Sequence, residues 1–408
     1  MHLQTLTYQP EVNAITGLRG FAAMWVFIFH FWGSQVIKAV NIEILGWQFD
    51  ITWCFTFGWL GVPIFFVLSG YLLAQPFIKQ AGIKRSESKE ESSQSIPRIS
   101  LRAYFVRRVL RVFPAYYGQF FILVLLACFF QYGRYPEDAA SWIAHLTMTF
   151  FSPPYFISGI NGVWWTLPIE FGFYLLLPLF AVMLKPGRGL ALLFLCLSIM
   201  LCYRYFIYFM YLATDVPLYT RVSLLPGVMD SFGIGMYAAY LSNNLPAKLI
   251  GSNSIASELL HERQNLVASA ATVLMLLGFG GCMLIMQKYW MFYWSGGWMS
   301  YSYTPLFSAV IGCGLVGASL RSSWLEWLFG NRLMRFLGNI SYSMYLWHVP
   351  VIGTLKLFPK LQEIGAHRNS ILLGLCTIVL IFISWLSWRF IELPGIAWGR
   401  RLTRNLAQ

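Results

Sequence analysis

The chain has 408 residues, of which 58% are hydrophobic, 18% aromatic and only 11% charged, and its mean hydropathy is +0.60. A soluble domain is less apolar and more highly charged, so the composition excludes a soluble globular protein, a disordered chain and a nucleic-acid-binding protein. The 29 Lys and Arg residues outnumber the 16 Asp and Glu residues, which gives a net charge of +13. In so apolar a chain this excess is typical of cytoplasmic loops between membrane spans.

The cysteines and the N-terminal residues exclude two further features. Seven cysteines, an odd number, lie mostly inside apolar runs, and the chain has no Cys-x-x-Cys or Cys/His metal spacing. We therefore expect neither a disulfide framework nor a bound metal. A cleavable signal peptide begins with a basic stretch, whereas residues 1–14 contain no Lys or Arg. The first apolar segment is therefore predicted to stay in the protein.

Apolar segments recur along the chain at the length that a bilayer requires, about 20 residues. They predict an all-α, polytopic membrane protein with about ten transmembrane helices. The predicted spans are 18–37, 55–77, 104–131, 162–184, 189–210, 223–242, 265–286, 303–320, 337–357 and 370–393. An even number of spans puts both termini on one side. If that side is the cytoplasm, inward ends and loops carry 21 Lys and Arg and outward ones carry 8, which favours cytoplasmic termini.

The long polar stretch Gln80–Ser100 is rich in Ser, Glu and Lys, which predicts a mobile cytoplasmic loop. The chain has no internal repeat, and the last predicted span ends about fifteen residues before Gln408. We therefore expect one transmembrane domain over residues 1–408, without an appended soluble domain. The expected location is the bacterial inner (plasma) membrane, as a multi-pass protein in contact with the lipid bilayer.

Ionisable side chains inside a bilayer cost a few kcal/mol and usually mark a site or a pathway. The predicted spans contain few of them: Arg19, His30, Glu170, Asp230, His348, Arg389 and Glu392. For Arg389 and Glu392, three residues apart near a helix end, an i,i+3 ion pair is the simpler interpretation. His348 is either a second proton carrier or a packing residue. Asp230 contributes to the shape of the bundle, to acceptor binding or to both.

The first span carries the pair that is most suggestive of chemistry. Arg19 and His30 lie eleven residues apart, and about 100° per residue places both side chains on one helix face. A rise of about 1.5 Å per residue separates them by about 16 Å, with Arg19 at the inner boundary and His30 past the middle of the membrane. Because a neutral imidazole can accept a proton, His30 is a candidate general base. The alternative is a core histidine bonded to a neighbouring carbonyl or hydroxyl.

The Arg-x10-His spacing of the first span is followed by four more sequence blocks. In chain order these are Gly61–Leu73, Arg107–Tyr117, Gly162–Pro178 and Gly338–Pro350. Together the five blocks resemble the motifs of the acyltransferase-3 family, integral-membrane enzymes that move acyl groups from a cytoplasmic thioester onto hydroxyls of sugars and other acceptors. Pro63 stands where an acidic residue is common in that family, so no role of that acidic residue is carried over.

The resemblance implies an O-acyltransferase whose donor is an acyl-coenzyme A, most simply acetyl-CoA. The implied acceptor is a hydroxyl of a cell-surface glycan, of its lipid-linked precursor or of a glycoside. Arg108 and Arg111 lie one turn apart at the cytoplasmic mouth of the third span, and guanidinium groups bind phosphate oxygens through paired hydrogen bonds. These two arginines would bind the donor phosphates, and Arg19 would help hold the entrance. The alternative is that Arg107, Arg108 and Arg111 are ordinary positive-inside anchors at the membrane surface.

Acyl transfer to a hydroxyl requires a base and a group that stabilises the oxyanion. His30 is the expected base. Glu170 would orient the imidazolium or bind acceptor hydroxyls, unless it forms a structural hydrogen bond between two helices. The oxyanion donor stays open: the candidates are Ser69, Ser341, Tyr345 and Trp165, but hydroxyl and indole groups in membrane helices usually bond to neighbouring helices. Direct transfer and an acyl-enzyme on His30 both remain possible.

A proton-coupled transporter is the competing hypothesis, with a path formed by Arg19, His30, Glu170 and Asp230. A transporter has no need for an arginine clamp at the mouth of a separate span, and the chain has no paired broken helices in two halves. The enzyme is therefore favoured. The sequence leaves open the acceptor, the length of the acyl group and the oligomeric state.

Overall fold

The computed structural model describes residues 12–34, 40–87, 100–151, 159–211, 218–249, 257–354 and 368–404. Nearly all of these residues are helical. The α-helices are α1 Asn13–Ser34, α2 Trp53–Thr56, α3 Gly61–Glu87, α4 Leu101–Phe130, α5 Ala139–Thr147, α6 Thr166–Ala181, α7 Gly189–Tyr211, α8 Leu218–Val222, α9 Met229–Leu249, α10 Ser257–Trp294, α11 Trp298–Ser319, α12 Ser323–Phe329, α13 Arg332–Asn339, α14 Ser341–Thr354, α15 Arg368–Ser387 and α16 Leu393–Leu402.

One small hairpin follows α1, formed by strands β1 (Asn41–Ile44) and β2 (Trp47–Asp50). The strands pair antiparallel, with Ile44 opposite Trp47. Leu45 and Gly46 form the two-residue turn with φ values of 53° and 81°. Positive φ at both turn residues matches the twist of the strands, and Gly46 adopts it without steric cost.

Eight helical segments within the described residues are long and apolar enough to cross a bilayer. They are Asn13–Ser34, Gly58–Ala81, Leu101–Phe130, Gly162–Ala181, Gly189–Tyr211, Glu262–Trp294, Trp298–Ser319 and Arg368–Leu402. They coincide with eight of the ten predicted spans, which confirms an all-α polytopic membrane fold. The other two predicted spans fall on α9, which packs against α3, α7 and α11, and on α13 with α14. With 14 residues, α14 is shorter than a bilayer requires. The cytoplasmic position of the termini stays a prediction.

Close backbone contact sets the position of α1 against α13 and α14. A Cβ on Gly20 would lie 2.7 Å from the backbone nitrogen of Gly338, and a Cβ on Gly338 would lie 1.9 Å from the carbonyl oxygen of Thr16. Only glycine permits this approach. Without a hydrophobic driving force inside the bilayer, small residues that bring backbones together are a main source of helix association.

A proline fixes the middle of α14 to its neighbours. Pro350 has no N–H, so the carbonyl oxygen of Leu346, one turn earlier, loses its helical partner. Two side chains donate to it instead, Gln119 Nε2 at 2.6 Å and Asn161 Nδ2 at 3.0 Å. Gln119 in turn accepts a hydrogen bond from Trp164 Nε1 at 2.8 Å. These bonds tie α14 to α4 and to the turn before α6.

Two expectations from the sequence need correction. The predicted loop Gln80–Ser100 begins as helix, because α3 continues to Glu87, and residues 88–99 lie outside the described residues. The expected i,i+3 ion pair between Arg389 and Glu392 is wrong. Residues Trp388–Glu392 form a π-helical turn, whose wider spacing separates such side chains. Arg389 is exposed, whereas Glu392 is buried and accepts a hydrogen bond from Ser343 Oγ at 3.2 Å.

Candidate functional site

A cavity of about 810 Å³ lies between α1, α3, α4, α6, α9, α11 and α14. Along α3 it extends from Lys79 to Val62, which is about 25 Å at the helical rise per residue. Four cationic side chains line it: Arg19, Lys79, Arg108 and Arg111. They lie in the N-terminal halves of α1 and α4 and in the C-terminal half of α3, which share one end of the bundle. Along α3 most of the remaining wall is apolar and includes Phe65, Leu68 and Leu72, whereas α9 and α11 contribute polar side chains.

Arg108 has an unmet hydrogen-bonding group in this cavity. Its Nε atom is buried and has no hydrogen-bond partner within the described part of the chain. The guanidinium carbon lies 5.7 Å from the centre of the Tyr104 ring, within the range of a cation–π contact. A buried donor without a partner costs free energy, and an anion in the cavity would supply the missing acceptor. The predicted clamp residues Arg108 and Arg111, and Arg19, therefore meet in one cavity.

Glu170 also lines the cavity, with Ser69 and Tyr174. Its Oε1 atom accepts hydrogen bonds from Ser69 Oγ at 3.1 Å and from Tyr174 Oη at 2.5 Å. Arg108 acts on it electrostatically. No hydrogen bond joins Glu170 to His30 in the described residues. The expectation that Glu170 orients this imidazole is therefore not supported by the geometry, which brings Glu170 to the cavity arginines instead.

His30 does not line the cavity and is instead bonded to His348. His30 Nδ1 lies 2.9 Å from the carbonyl oxygen of Val26 and 3.3 Å from His348 Nε2. The two ring centres are 4.9 Å apart. His348 is fully buried, and its Nδ1 lies 2.7 Å from the carbonyl oxygen of Tyr345. The sequence singles out both histidines but contains no signal that pairs them, because 318 positions separate them.

Tyr345 stands between the cavity and the histidine pair. Its side chain lines the cavity, and its ring centre lies 5.6 Å from that of His348 and 6.0 Å from that of Phe65. The phenol donates to the carbonyl oxygen of Val163 at 2.8 Å and accepts from Thr166 Oγ1 at 2.9 Å. These bonds hold the ring across the end of the cavity. Tyr345 therefore contacts the cavity on one side and His348 on the other.

Glu392 is a second acidic residue beside the site, although the sequence predicted an ion pair with Arg389 for it. It is buried on the π-helical turn and acts electrostatically on Arg111 and Arg19. A buried carboxylate near two guanidinium groups offsets part of their desolvation cost. Glu392 therefore stabilises the cationic part of the cavity from behind, without lining it.

A second, smaller cavity of about 40 Å³ shares Val62 and Phe66 with the large one. Besides Phe66, five aromatic side chains line it: Trp59, Trp165, Tyr208, Tyr293 and Trp294. Arg204 also lines it and is held by two carbonyl groups, Gly227 at 2.8 Å and Ser300 at 2.6 Å. Asp230 is fully buried and interacts electrostatically with Arg204, and it lines neither cavity.

These features define a class of protein. It is a multi-pass membrane protein with an elongated cavity, cationic near one end and mostly apolar along α3, that ends beside a pair of histidines. In the described residues, no group of three His, Cys, Asp or Glu side chains could hold a metal ion. Such a cavity fits a ligand with an anionic head and a thin arm, and the histidines offer a proton acceptor near the end of that arm.

Comparison with known proteins identifies the family. The family described as "Acyltransferase domain" matches residues 12–389, nearly the whole chain. The protein therefore belongs to this family of acyltransferases, as the five sequence blocks indicate. The comparison gives no support to a transporter.

Three curated relatives are similar over most of this chain. YrhL of Bacillus subtilis is 28% identical over 94% of the chain and 54% of its own length. The peptidoglycan O-acetyltransferase OatA of Listeria monocytogenes is 26% identical over 86% of the chain and 53% of its length. The O-acetyltransferase OatA of Staphylococcus aureus is 26% identical over 95% of the chain and 58% of its length. The chain thus spans about half the length of these relatives. No solved structure matches the chain.

Proposed function

We propose that this protein transfers an acetyl group from acetyl-CoA, bound in the large cavity, to a hydroxyl of a cell-wall glycan of the peptidoglycan type at the bacterial plasma membrane. Family membership supports acyl transfer, and the names of the Listeria and Staphylococcus relatives suggest the acetyl group and the acceptor. The observation that carries the proposal is the cavity itself, with its four cationic side chains and the unpartnered Nε of Arg108.

The chemistry of the cavity suits this donor. Coenzyme A carries phosphates at one end and a thioester at the end of a long, thin arm. Arg108, Arg111 and Arg19 would bind the phosphates, because guanidinium groups form paired, charge-assisted hydrogen bonds with phosphate oxygens. The apolar wall along α3 would receive the arm. A volume of about 810 Å³ lies within the usual range of small-molecule and cofactor sites.

His30 is the proposed general base. Its Nδ1 faces the carbonyl oxygen of Val26, which can only accept, so Nδ1 carries the proton of the neutral ring. Nε2 therefore carries the lone pair. The acceptor oxygen would attack the thioester carbonyl carbon while His30 Nε2 takes the hydroxyl proton. The carbon–sulfur bond then breaks, the acetyl ester forms, and the departing thiolate takes the proton back from His30.

Tyr345 must move for the thioester to reach His30, because it lies between the cavity and the histidine pair. The motion would break its hydrogen bonds with Val163 and Thr166. We propose that donor binding displaces this ring. The small aromatic cavity, which meets the large one at Val62 and Phe66, would admit the hydroxyl-bearing group of the acceptor, since aromatic rings stack well on sugars.

The test is transfer by the purified full chain in lipid nanodiscs. Acetyl-CoA labelled with ¹³C in the acetyl group is mixed with soluble peptidoglycan fragments, and mass spectrometry follows both free CoA and the fragments. We expect equal amounts of released CoA and labelled O-acetyl ester, and neither with His30→Ala. Wild-type activity of His30→Ala would remove the base. Failure of the wild-type protein to bind acetyl-CoA would overturn the donor site.

A second arm of the same experiment omits the acceptor. Direct transfer leaves no label on the protein, whereas a covalent route through an acyl-enzyme leaves one acetyl group on a side chain. Mass spectrometry of the intact protein distinguishes the two. The unprotonated Nε2 of His30 could serve either route, as base or as nucleophile, so the label on the protein decides between them.

A further inference from the structure

We propose that His348 is the positioning residue of the catalytic base: its Nε2 accepts the Nδ1–H of His30 and can take up that proton when His30 Nε2 is protonated by the acceptor hydroxyl. This rests on the proposed role of His30. The two rings are in direct contact, because His348 Nε2 lies 3.3 Å from His30 Nδ1.

The backbone around the pair permits only one arrangement of protons on the two neutral rings. His348 Nδ1 faces the carbonyl oxygens of Tyr345 at 2.7 Å and Met344 at 3.3 Å, so it must be a donor. Its Nε2 is then unprotonated and can accept. His30 Nδ1 faces the carbonyl oxygen of Val26 at 2.9 Å and must also be a donor. The N–H of His30 is therefore shared between Val26 and His348 Nε2, and every contact is satisfied.

The fold fixes the two rings from opposite sides. α1 is held by the glycine contact between Gly20 and Gly338, which determines how far His30 lies from the start of α14. α14 is held two residues before His348, where Gln119 and Asn161 bond to the carbonyl of Leu346. Neither helix can rotate or slide without breaking these contacts. The ring contact is therefore built by the scaffold and does not depend on loops, which suits a catalytic pair.

The pair has a defined task during turnover. When His30 Nε2 takes the proton from the acceptor hydroxyl, the ring becomes an imidazolium, and its Nδ1–H remains bonded to the unprotonated Nε2 of His348. His348 can then take up the Nδ1 proton, which spreads the positive charge over two rings. When the CoA thiolate leaves, it takes the proton from His30 Nε2, and both rings return to their starting tautomers. No proton is gained or lost over the cycle. A carboxylate serves the same purpose beside other catalytic histidines.

This assignment changes the role of His348 in the site. It touches neither the cavity nor a substrate, and it acts only through His30. The sequence left two roles open for it, proton carrier or packing residue, and the bonds of both its nitrogens favour the first. A packing role would need only the shape of the ring, which phenylalanine supplies without an acceptor.

The first test measures the tautomers directly and needs no activity. The full chain is labelled with ¹⁵N-histidine in nanodiscs, and the signals of its six histidines are assigned by single substitutions. At alkaline pH we expect His30 and His348 each to carry the proton on Nδ1. We also expect each ring to titrate differently once the other is replaced, because they share a proton. A proton on Nε2 of neutral His348, or titrations unaffected by replacement, would overturn the proposal.

The second test compares two replacements of His348. His348→Phe keeps an aromatic ring but loses the acceptor, and we expect kcat to fall about a hundredfold or more while the Kd for CoA stays near the wild-type value. His348→Gln supplies a carbonyl oxygen near the position of Nε2, and we expect it to retain kcat within about tenfold. A His348→Phe protein that keeps wild-type kcat would indicate packing, and an equal loss in both variants would show that a hydrogen-bond acceptor is not what His348 supplies; either result would overturn the proposal.

A control histidine and a control for the base complete the design. His145→Gln alters a histidine outside both cavities and should leave kcat unchanged, which excludes a general effect of losing an imidazole. If His30→Ala is inactive while His348→Phe is fully active, the positioning role is wrong and the base survives. If His30→Ala is active, the proposed function itself is wrong.

Discussion

His145 and His30 are bonded to their own helices in the same way, and they differ at the second ring nitrogen. Each points Nδ1 at the carbonyl four residues earlier, His145 at Ser141 over 2.7 Å and His30 at Val26 over 2.9 Å. His145 Nε2 then accepts the backbone N–H of Ile160 at 3.1 Å. His30 Nε2 has no hydrogen-bond partner among the described residues.

The surroundings of the two rings differ in the same sense. Three aromatic rings enclose His145, which is fully buried: Phe120, Phe150 and Trp164, with centres 5.6, 5.4 and 6.1 Å away. The ring of His30 instead lies against a second titratable ring, that of His348. A histidine whose two nitrogens are both bonded to backbone cross-links the fold. One whose Nε2 carries an open lone pair can exchange a proton.

The largest expected effect is the loss of acetyl transfer when His30 is replaced, compared with its retention when His145 is replaced. His30→Ala should lower acetyl transfer by about a hundred- to ten-thousandfold, because the reaction loses its general base, while CoA binding and the melting temperature stay near wild-type values. His145→Ala should retain transfer and lower the free energy of unfolding by about 1–3 kcal/mol, since the N–H of Ile160 loses its acceptor. Transfer assays and thermal melts of both variants check this. A stable, active His30→Ala protein would contradict it.

Two adjacent arginines differ in the same way, because Nε has a hydrogen-bond partner in one of them and none in the other. Arg107 is exposed, and its Nε donates to Thr403 Oγ1 at 2.7 Å, whereas the buried Nε of Arg108 has no partner in the described structure. We expect Arg108→Ala to raise the Kd for CoA about ten- to a hundredfold, through loss of a charge-assisted hydrogen bond. Arg107→Ala should change it by about twofold at most.

Isothermal titration with CoA at low and high salt measures this difference. The wild-type Kd should rise with ionic strength, because screening weakens the attraction between arginine and phosphate. The Arg108→Ala protein should show a smaller salt dependence than the Arg107→Ala protein. Equal Kd values for the two variants would remove Arg108 from the donor site.

Features that a single helix determines could be predicted from the sequence. Spacing along one helix placed Arg108 next to Arg111 and Arg19 at the inner end of the first span, and the structure brings all three to one cavity. The apolar runs predicted the helices, since length and composition alone define a span.

Features that depend on the rotation of one helix against another could not be predicted. The sequence left three roles open for Glu170, orienting His30, binding the acceptor or bonding two helices together, and α6 turns its carboxylate towards Ser69 on α3 and towards Tyr174. The contact between His30 and His348 depends on the packing of Gly20 against Gly338. A single sequence does not show which residues so far apart in the chain come into contact. The role of Glu392 depends on a π-helical turn, which no pattern of residue types specifies.

The smallest expected effect is the contribution of the His145 imidazole to the pH dependence of stability. Its helix, α5, lies outside the eight candidate spans. Burial lowers the pKa of the His145 imidazole, and the hydrogen bond to Ser141 offsets part of this. The folded protein therefore keeps the ring neutral at a pH where the unfolded chain, with a pKa of about 6.5, takes up a proton. Unfolding then binds protons, so this ring makes the fold less stable as the pH falls below about 6.5.

The prediction for this ring is a difference between two melting curves. The melting temperature of the wild-type protein should fall between about pH 7.5 and pH 5.5, and that of His145→Gln should fall less, because glutamine does not titrate and can still accept the N–H of Ile160. Melts in nanodiscs across this range measure both slopes. Parallel curves would show that His145 takes up a proton equally well in the folded and unfolded chain. In that case the hydrogen bond from Ile160 would not keep the His145 ring neutral. His145 and His30 would then differ only in where they lie in the fold.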